Sequence, residues 1–385
     1  MTNSDNKRKK IINVPPLRFP SFTDKWKEST IGNVVKIGNG RDYKHLGNGS
    51  IPVFGTGGYM TSVDDYLYDG ETVFIGRKGS IDKPFYFSGK FWTVDTLFYT
   101  YDFNGVIPKF LYSIFQRINW KKYNEASGVP SLSKATIEKI KFKYPLSPEQ
   151  DKISRLLSLI DERLATQNKI IEDLKKLKSA IMAIIFGKTN VTKNQWCEVR
   201  LGNICERVTR RNSNNISNLI LTIAAQYGLV SQTDFFNKSV ASADLSNYYL
   251  LDKGDFAYNK SYSGEYTWGT VKRLDLYPQG VLSPLYICFR PIEGIVDSDF
   301  LVYLFESKCW YREVSGICVE GARNHGLLNV SVVDFFNMKL HLPDLSEQKR
   351  IAEMMNSISD KIEHSSRLYA LYNAQKTYLL SNMFI

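Results

Sequence analysis

The sequence predicts an α+β protein in which two mainly β lobes are separated by two long helices that pair as an antiparallel coiled coil, giving a pseudo-two-fold molecule. Three observations carry this expectation. First, the chain of 385 residues repeats itself: Glu149-Gln150-Asp151-Lys152-Ile153, running on to Ile185-Phe186, returns 198 residues later as Glu347-Gln348-Lys349-Arg350-Ile351, running on to Met383-Phe384. A repeat of this length is read before any local motif. Second, both stretches lack Pro and follow a Pro-marked stop, Pro145 and Pro148 in one copy and Pro343 in the other, as long helices do. Third, the segments around them are short apolar or alternating runs punctuated by Gly, the pattern of strands and turns.

Taken in order, residues 1–20 are a basic arm holding Lys7-Arg8-Lys9-Lys10, residues 21–146 a first lobe, 147–187 a central long helix, 188–344 a second lobe and 345–385 a C-terminal long helix. The first lobe opens on Trp26 and Gly32, matched by Trp196 and Gly202 at an offset of 170. Its strand candidates are Ile51 to Phe54, Thr72 to Ile75, Pro84 to Phe87 and Leu97 to Tyr101, with a short helix from Ile107 to Arg117. The second lobe repeats the style with Ile220 to Ala224, Asp255 to Tyr258 and Leu285 to Phe289. Phe110-Leu111, Phe115 and Trp120 find counterparts in Phe300-Leu301, Phe305 and Trp310. Net insertion is confined to the globular part of the second copy, so the helices keep their length while the lobes vary.

Alternating steps of four and three along the first helix give Ile153, Leu157, Ile160, Leu164, Gln167, Ile171, Leu174, Lys178, Ile181 and Ile185. The same steps in the second give Ile351, Met355, Ile358, Ile362, Ser365, Tyr369, Tyr372, Lys376, Leu379 and Met383. A 3.5-residue apolar period is a coiled-coil seam. The polar interruptions coincide, Gln167 with Ser365 and Lys178 with Lys376, and two readings stay open: they fix register, or they are tolerated where the seam frays. A helix of this size is about 57 Å long, too long to hide its seam in a lobe of ordinary size. The other helix is its simplest partner. Leu156, Leu159 and Ile170, beside the seam, leave apolar surface for further partners.

Hydrophobic residues make up 43% of the chain, enough for two cores, and no apolar run reaches the ~18 residues of a membrane span. The polar, basic start lacks a signal-peptide pattern, and five cysteines without Cys-x-x-Cys spacing fit a reducing cytosol and no structural zinc. A net charge of +11 favours a polyanionic partner, with solubility as the competing explanation. Many basic residues fall beside Gly, Ser or Asn in loops, as base-edge and phosphate readers often do: the candidates are Arg41, Lys44, Arg77, Lys78, Lys83 and Lys90 in the first lobe, Arg210, Arg211, Lys260, Lys272, Arg273 and Arg323 in the second. Each is also readable as a solvated surface charge.

Catalytic patterns fail on their context. Phe54-Gly55-Thr56-Gly57-Gly58-Tyr59 superficially resembles a glycine loop for S-adenosylmethionine, but Met60 to Asp65 reads as a turn into another strand rather than a helix. Gly187-Lys188-Thr189 ends like a phosphate-binding loop, yet Met182 stands where its leading Gly is required, so Gly187 reads as the stop of the first helix. Four scattered histidines have no metal-ligand spacing, and no nucleophile motif is present. The expected metal and catalytic residues are therefore none.

Variable β-rich region, Pro-x-x-x-Glu-Gln helix, second variable region and second Glu-Gln helix together closely resemble the specificity subunit of type I restriction-modification enzymes, over essentially the whole chain. The carrying residues are Pro145-Leu146-Ser147-Pro148-Glu149-Gln150, Pro343-Asp344-Leu345-Ser346-Glu347-Gln348, Trp26, Trp196, and Gly70-Glu71 and Gly254-Asp255 heading strands toward Arg77-Lys78 and Lys260. Ser127-Gly128-Val129-Pro130-Ser131-Leu132 resembles the loop closing a target recognition domain; Gly321-Ala322-Arg323-Asn324-His325-Gly326 departs from it. The resemblance implies a non-catalytic cytoplasmic bacterial subunit for defence by restriction and DNA methylation. Each lobe is then a target recognition domain reading one half of a bipartite, asymmetric site in double-stranded DNA, and the helices set the spacer. It implies as partners two methyltransferase (modification) subunits and the restriction or translocase subunits, which hold S-adenosylmethionine, ATP and Mg²⁺, and no membrane. Arg77, Lys78 and Lys260 are the first candidates for contact with DNA. A methyltransferase acting alone and a coiled-coil adaptor are the competing classes.

Overall fold

The structure is a computed structural model describing residues 14–187, 196–224, 227–236, 244–261, 266–318 and 328–385. The chain divides into two compact units. One holds residues 1–169 with 366–385, the other 170–365. Each unit thus contains one lobe and a part of both long helices, Ser147–Phe186 and Leu345–Asn382.

In the first unit, strands β1 (Lys27–Thr30) and β8 (Lys141–Tyr144) pair antiparallel at the base of the lobe. Between them β2 (Lys36–Asn39), β3 (Asn48–Gly55), β4 (Gly58–Val63), β5 (Tyr68–Gly76), β6 (Phe85–Thr93) and β7 (Leu97–Tyr101) form one sheet in the order β2-β7-β5-β6-β3-β4. All its pairs are antiparallel except β3 with β6. From Thr72 to Gly76 every residue of β5 is buried, because both faces of this central strand are covered. One face meets Phe54, Phe91 and Leu97; the other meets the helix Pro108–Arg117. That helix begins on a Pro, which lacks the N–H a first turn would leave unpaired, and buries Phe110, Leu111, Ile114 and Phe115 on one stripe.

The second unit repeats this plan and then departs from it. Strands β9 (Cys197–Arg200) and β18 (Lys339–Leu342) pair as β1 and β8 do. Strands β10 (Cys205–Arg207), β14 (Phe256–Asn259), β15 (Thr270–Arg273) and β17 (Ile287–Pro291) make a sheet ordered β10-β17-β14-β15, the counterpart of β2-β7-β5-β6. In place of the β3-β4 extension stand two separate two-stranded sheets, β11 (Leu221–Ala224) with β12 (Gly228–Ser231) and β13 (Tyr249–Asp252) with β16 (Gln279–Leu282). Most of the extra length of the second copy therefore lies between β10 and β17, and the rest between Trp310 and Ser331.

That joint is the same in both units. The buried Gln150 amide accepts from the Ile107 N–H (2.9 Å) and donates to the carbonyls of Gly105 (2.8 Å) and Pro145 (2.9 Å). Gln348 accepts from the Asp297 N–H (2.9 Å) and donates to the Pro343 carbonyl (2.9 Å). Each glutamine satisfies backbone groups at the end of a strand and ahead of a lobe helix, where no ladder reaches them. Nearby, the Trp120 and Trp310 indoles donate to the carbonyls of Phe115 (2.8 Å) and Phe305 (2.9 Å), and Ser133 and Ser331 cap matching short helices.

Fewer than half of the seam positions are buried, most of the others are half-buried, and Tyr369 is exposed. Ile153 and Leu157 share the first core with Trp26, Phe110, Met383 and Phe384; Ile351 and Met355 share the second with Met182, Phe186 and Phe300. Within the first unit the start of one long helix and the end of the other thus pack into one core. Ile160 and Ile358 are buried, while Leu164, Leu174, Ile181, Ile362, Tyr372 and Leu379 are half-buried. The two seam lysines have found carboxylates: Lys376 lies 2.5 Å from Asp161, and Lys178 lies 3.0 Å from Glu306 on a helix of the second lobe, over the Tyr303 ring. Leu159 and Ile170 are exposed, whereas Leu156, expected beside them on open surface, is half-buried against the first core because it faces the lobe.

Candidate nucleic-acid interface

One turn, Val94–Thr96 between β6 and β7, organises the cationic edge of the first lobe. The Arg77 and Lys78 N–H groups donate to the Thr96 carbonyl at 2.8 and 3.2 Å, and Arg77 Nη1 reaches the Asp95 carbonyl at 3.3 Å. The Arg41 N–H donates to the Thr93 carbonyl at 2.7 Å, while the Trp92 indole donates to the Arg41 carbonyl at 3.0 Å. Gly40 lies so close to the turn that a Cβ there would meet the Val94 oxygen at 1.9 Å, so only glycine lets this loop approach. Arg41, Arg77 and Lys78 are therefore brought together by backbone bonds, with Arg41 and Lys78 exposed.

A second loop completes the edge. Lys78 bridges to Ser131, the Gly79 N–H donates to the Pro130 carbonyl (2.8 Å), and the Leu132 N–H donates to the Arg77 carbonyl (2.9 Å). The Ser127-to-Leu132 segment thus docks on the Arg77 loop, with Leu132 buried as its plug. The Gly55-to-Gly58 stretch is a β3–β4 hairpin turn, Gly55 pairing with Gly58; it does not lead from strand to helix. Lys44 and Lys83 are exposed on flanking loops, and neighbouring Asp82 pairs with Lys121 at 2.9 Å.

In the second lobe the Leu328 N–H donates to the Lys260 carbonyl (2.8 Å), as Leu132 does to Arg77. Lys260 follows β14 as Arg77 follows β5, so the two stand at the same place in the shared plan. Arg323 lies outside the described residues, as do the basic arm at Lys7–Lys10 and His325. Arg210 and Arg211 are engaged by their own lobe. Arg210 pairs with Asp252 (2.7 Å); Arg211 donates to the Asn247 carbonyl and lies over the Tyr249 ring (4.7 Å).

Sequence reasoning missed the network behind them. Arg290 pairs with Asp252 (3.0 Å) and with the fully buried Asp255 (2.6 Å). Burial raises the Asp252 carboxyl, but hydrogen bonds from Gln279, Arg210 and Arg290 outweigh it and hold the group below the usual carboxylate range. Arg273 is likewise bound to Asp275 (2.6 Å) and Asp299 (2.7 Å), and burial pushes the Lys272 ammonium down. The Asp252-Lys253-Gly254-Asp255 spacing, two carboxylates across a turn, was the available signal; nothing in the sequence pointed to Arg290. Among the described residues no cluster of three His, Cys, Asp or Glu could hold a metal ion, and no helix is long and apolar enough to cross a membrane.

The family model for the type I restriction modification DNA specificity domain matches residues 23–176. Residues 23–176 are thus similar to a type I specificity domain. The specificity domain so matched comprises the whole loop cluster around Val94–Thr96 and much of the first long helix. Over 339 residues the chain is 25% identical to the type I restriction enzyme MjaVIII specificity subunit of Methanocaldococcus jannaschii, covering 77% of this chain and 72% of that protein. It is 26% identical over 285 residues to the putative MjaX specificity subunit of the same organism, covering 68% and 63%. Its fold is similar to the crystal structure of a type I restriction-modification S subunit from M. genitalium, with a TM-score of 0.66 at 14% identity over 97% of this chain and 99% of that one. The resemblance drawn from the two Glu-Gln helices agrees with these matches, which are to specificity subunits of type I systems.

Proposed function

We propose that this specificity subunit reads a bipartite, asymmetric DNA site, one half with each lobe, and has no catalysis of its own. The observation that carries the reading is the common plan of the two lobes: a loop after the central strand, at Arg77 or Lys260, is fixed by the amide of a buried leucine, Leu132 or Leu328. Duplicated supports with different loops suit a reader of two unlike sequences. Arg77, Lys78, Arg41 and Lys260 are the leading contacts, with Lys44, Lys83, Arg210, Arg211 and Arg323 behind them. A guanidinium can grip guanine O6 and N7 together, and a lysine adds phosphate attraction that carries no sequence information.

In this reading the long helices pair antiparallel as a coiled coil, fix the unread spacer and dock two methyltransferase subunits. S-adenosylmethionine, ATP and Mg²⁺ act in the methyltransferase and restriction subunits, not here. The test is to delete one heptad from each long helix at matching positions and map methylated adenines in a host carrying the complete system. The distance between the two half-sites changes while both half-sequences persist; an unchanged distance contradicts the ruler.

A further inference from the structure

The hairpin turn joining β3 to β4 lies against the cationic edge but carries no charge. Thr56 and Gly57 form its tip, and Gly58, at φ +101°, takes a left-handed conformation open to glycine at little cost. The next two side chains stand in solvent: Tyr59 is 64% exposed and Met60 50% exposed. Tyr66 and Val129 of the same lobe are exposed as well, but Tyr59 and Met60 are consecutive and sit just past the hairpin tip, a pair of apolar side chains that suits an occupant.

Contacts join this tip to the Arg77 loop on two sides. The Met60 thioether lies over Gly55, 2.7 Å from where a Cβ would stand, and Val94 of the organising turn lies 3.5 Å from the same point. The Val94 N–H donates to the Phe54 carbonyl at 3.0 Å. Across the edge, a Cβ on Gly79 would sit 3.6 Å from Thr56 Oγ1. Tyr59 is steadied along its strand by Ser62 at 3.1 Å. The tip that carries these two exposed side chains therefore adjoins the loop that holds Arg77 and Lys78.

We propose that Tyr59 and Met60 are specificity-determining residues that recognise the C5-methyl group of a thymine in the half-site read by the first lobe. This rests on the reading of the chain as a DNA reader and adds residues and a chemical target to it. Phosphates and guanine edges attract the cations of this surface. A neutral apolar pair beside them suits the one apolar feature of the major groove, the thymine methyl. The thioether adapts its shape to it, and the tyrosine ring offers contact area at little entropic cost.

The experiment uses the full chain assembled with its partner subunits. Methylated-adenine mapping defines the site, and the half-site altered by Arg77→Ala is the one read by the first lobe. Each thymine of that half is then replaced in turn by uracil, which removes only the methyl group, and binding is measured. At one position uracil weakens binding by the unaltered complex about fourfold, the weight of one buried methyl-sized group. The Tyr59→Ala/Met60→Ala variant shows no uracil penalty there, whereas Tyr59→Phe/Met60→Leu retains it. If the Ala variant shows the same penalties as the unaltered complex, or if no uracil weakens binding, the proposal is overturned while the reader stands. If the unaltered complex shows no sequence preference at all, the reading beneath it falls as well.

Discussion

Around the turn Val94–Thr96 the first lobe gathers Arg41, Arg77 and Lys78 through backbone hydrogen bonds, with Arg41 and Lys78 exposed and Arg77 reaching the Asp95 carbonyl. The second lobe uses several of its arginines on itself: Arg210 and Arg290 hold Asp252 and Asp255, and Arg273 holds Asp275 and Asp299. The first lobe extends its core sheet to six strands, while the second breaks the same edge into small two-stranded sheets that share a separate apolar cluster. Yet the glutamine joint, the tryptophan indole bond and the capping serine are common to both. The duplication has kept what attaches a lobe to a helix and varied what a lobe presents.

The largest test of that comparison is the joint. Gln150→Ala leaves three backbone groups without partners and costs the first unit about 3–5 kcal/mol; Gln348→Ala orphans two and costs the second about 2–4 kcal/mol. Hydrogen exchange at the Ile107 and Asp297 amides, each bonded to its glutamine, reports both losses. Equal, negligible effects would mean the shared joint is not what retains the shared plan.

The glutamates beside these glutamines sharpen the comparison, because here the copies differ. Glu149 is buried and takes both oxygens' bonds from Arg18 at 2.7 Å, while the Leu17 N–H donates to the Asn382 carbonyl at 2.9 Å. Glu347 is held by exposed Arg350 of its own helix. Arg18→Ala leaves a buried carboxylate unpaired and destabilises the first unit by about 3 kcal/mol, read as lost protection of the Leu17 amide. Arg350→Ala leaves stability unchanged.

Acid separates the lobes by a smaller margin. Burial raises Asp252 and Asp299, but their hydrogen bonds prevail and hold both below the ordinary carboxylate range. A carboxyl depressed in the folded state stabilises above its unfolded pKa, about 3.9 for Asp, and that contribution disappears as pH falls through the lower folded value. The depressed carboxyls of the first lobe, Asp82 bonded to Lys121 and Glu125 bonded to Thr136 and Ser133, lie at its surface. On titration below about pH 4, amide protection in Tyr249–Asp252 and Ser298–Glu306 is lost before that in Thr72–Gly76. Simultaneous loss would show that the Asp252 network does not hold the second lobe.

The long helices were legible because Pro stops and a 3.5-residue period are local signals, and the strands because apolar runs alternate with Gly. Leu97–Tyr101 emerges at the bounds read from sequence, and the Ile107 helix begins one residue later, at Pro108. The site was legible only in part. Arg41 and Arg77 are far apart in sequence and meet through the carbonyls of Thr93 and Thr96, whose partners no local pattern discloses. The reverse holds for Arg210: beside Arg211 in a polar stretch it reads as an exposed cation, and only the chain's return to Asp252 ties it down. Lys178 was read as a seam residue, but the second lobe supplies Glu306, so its place in the heptad does not by itself name its partner.

The most direct test of the account maps methylated adenines in hosts carrying the complete system with Arg77→Ala or Lys260→Ala. Two unlike lobes on a shared support predict that Arg77→Ala relaxes positions in one half of a split site, with about 1–3 kcal/mol of discrimination lost, and that Lys260→Ala disturbs only the other half. Changes by both variants in the same half, or an intact site in both, would contradict it.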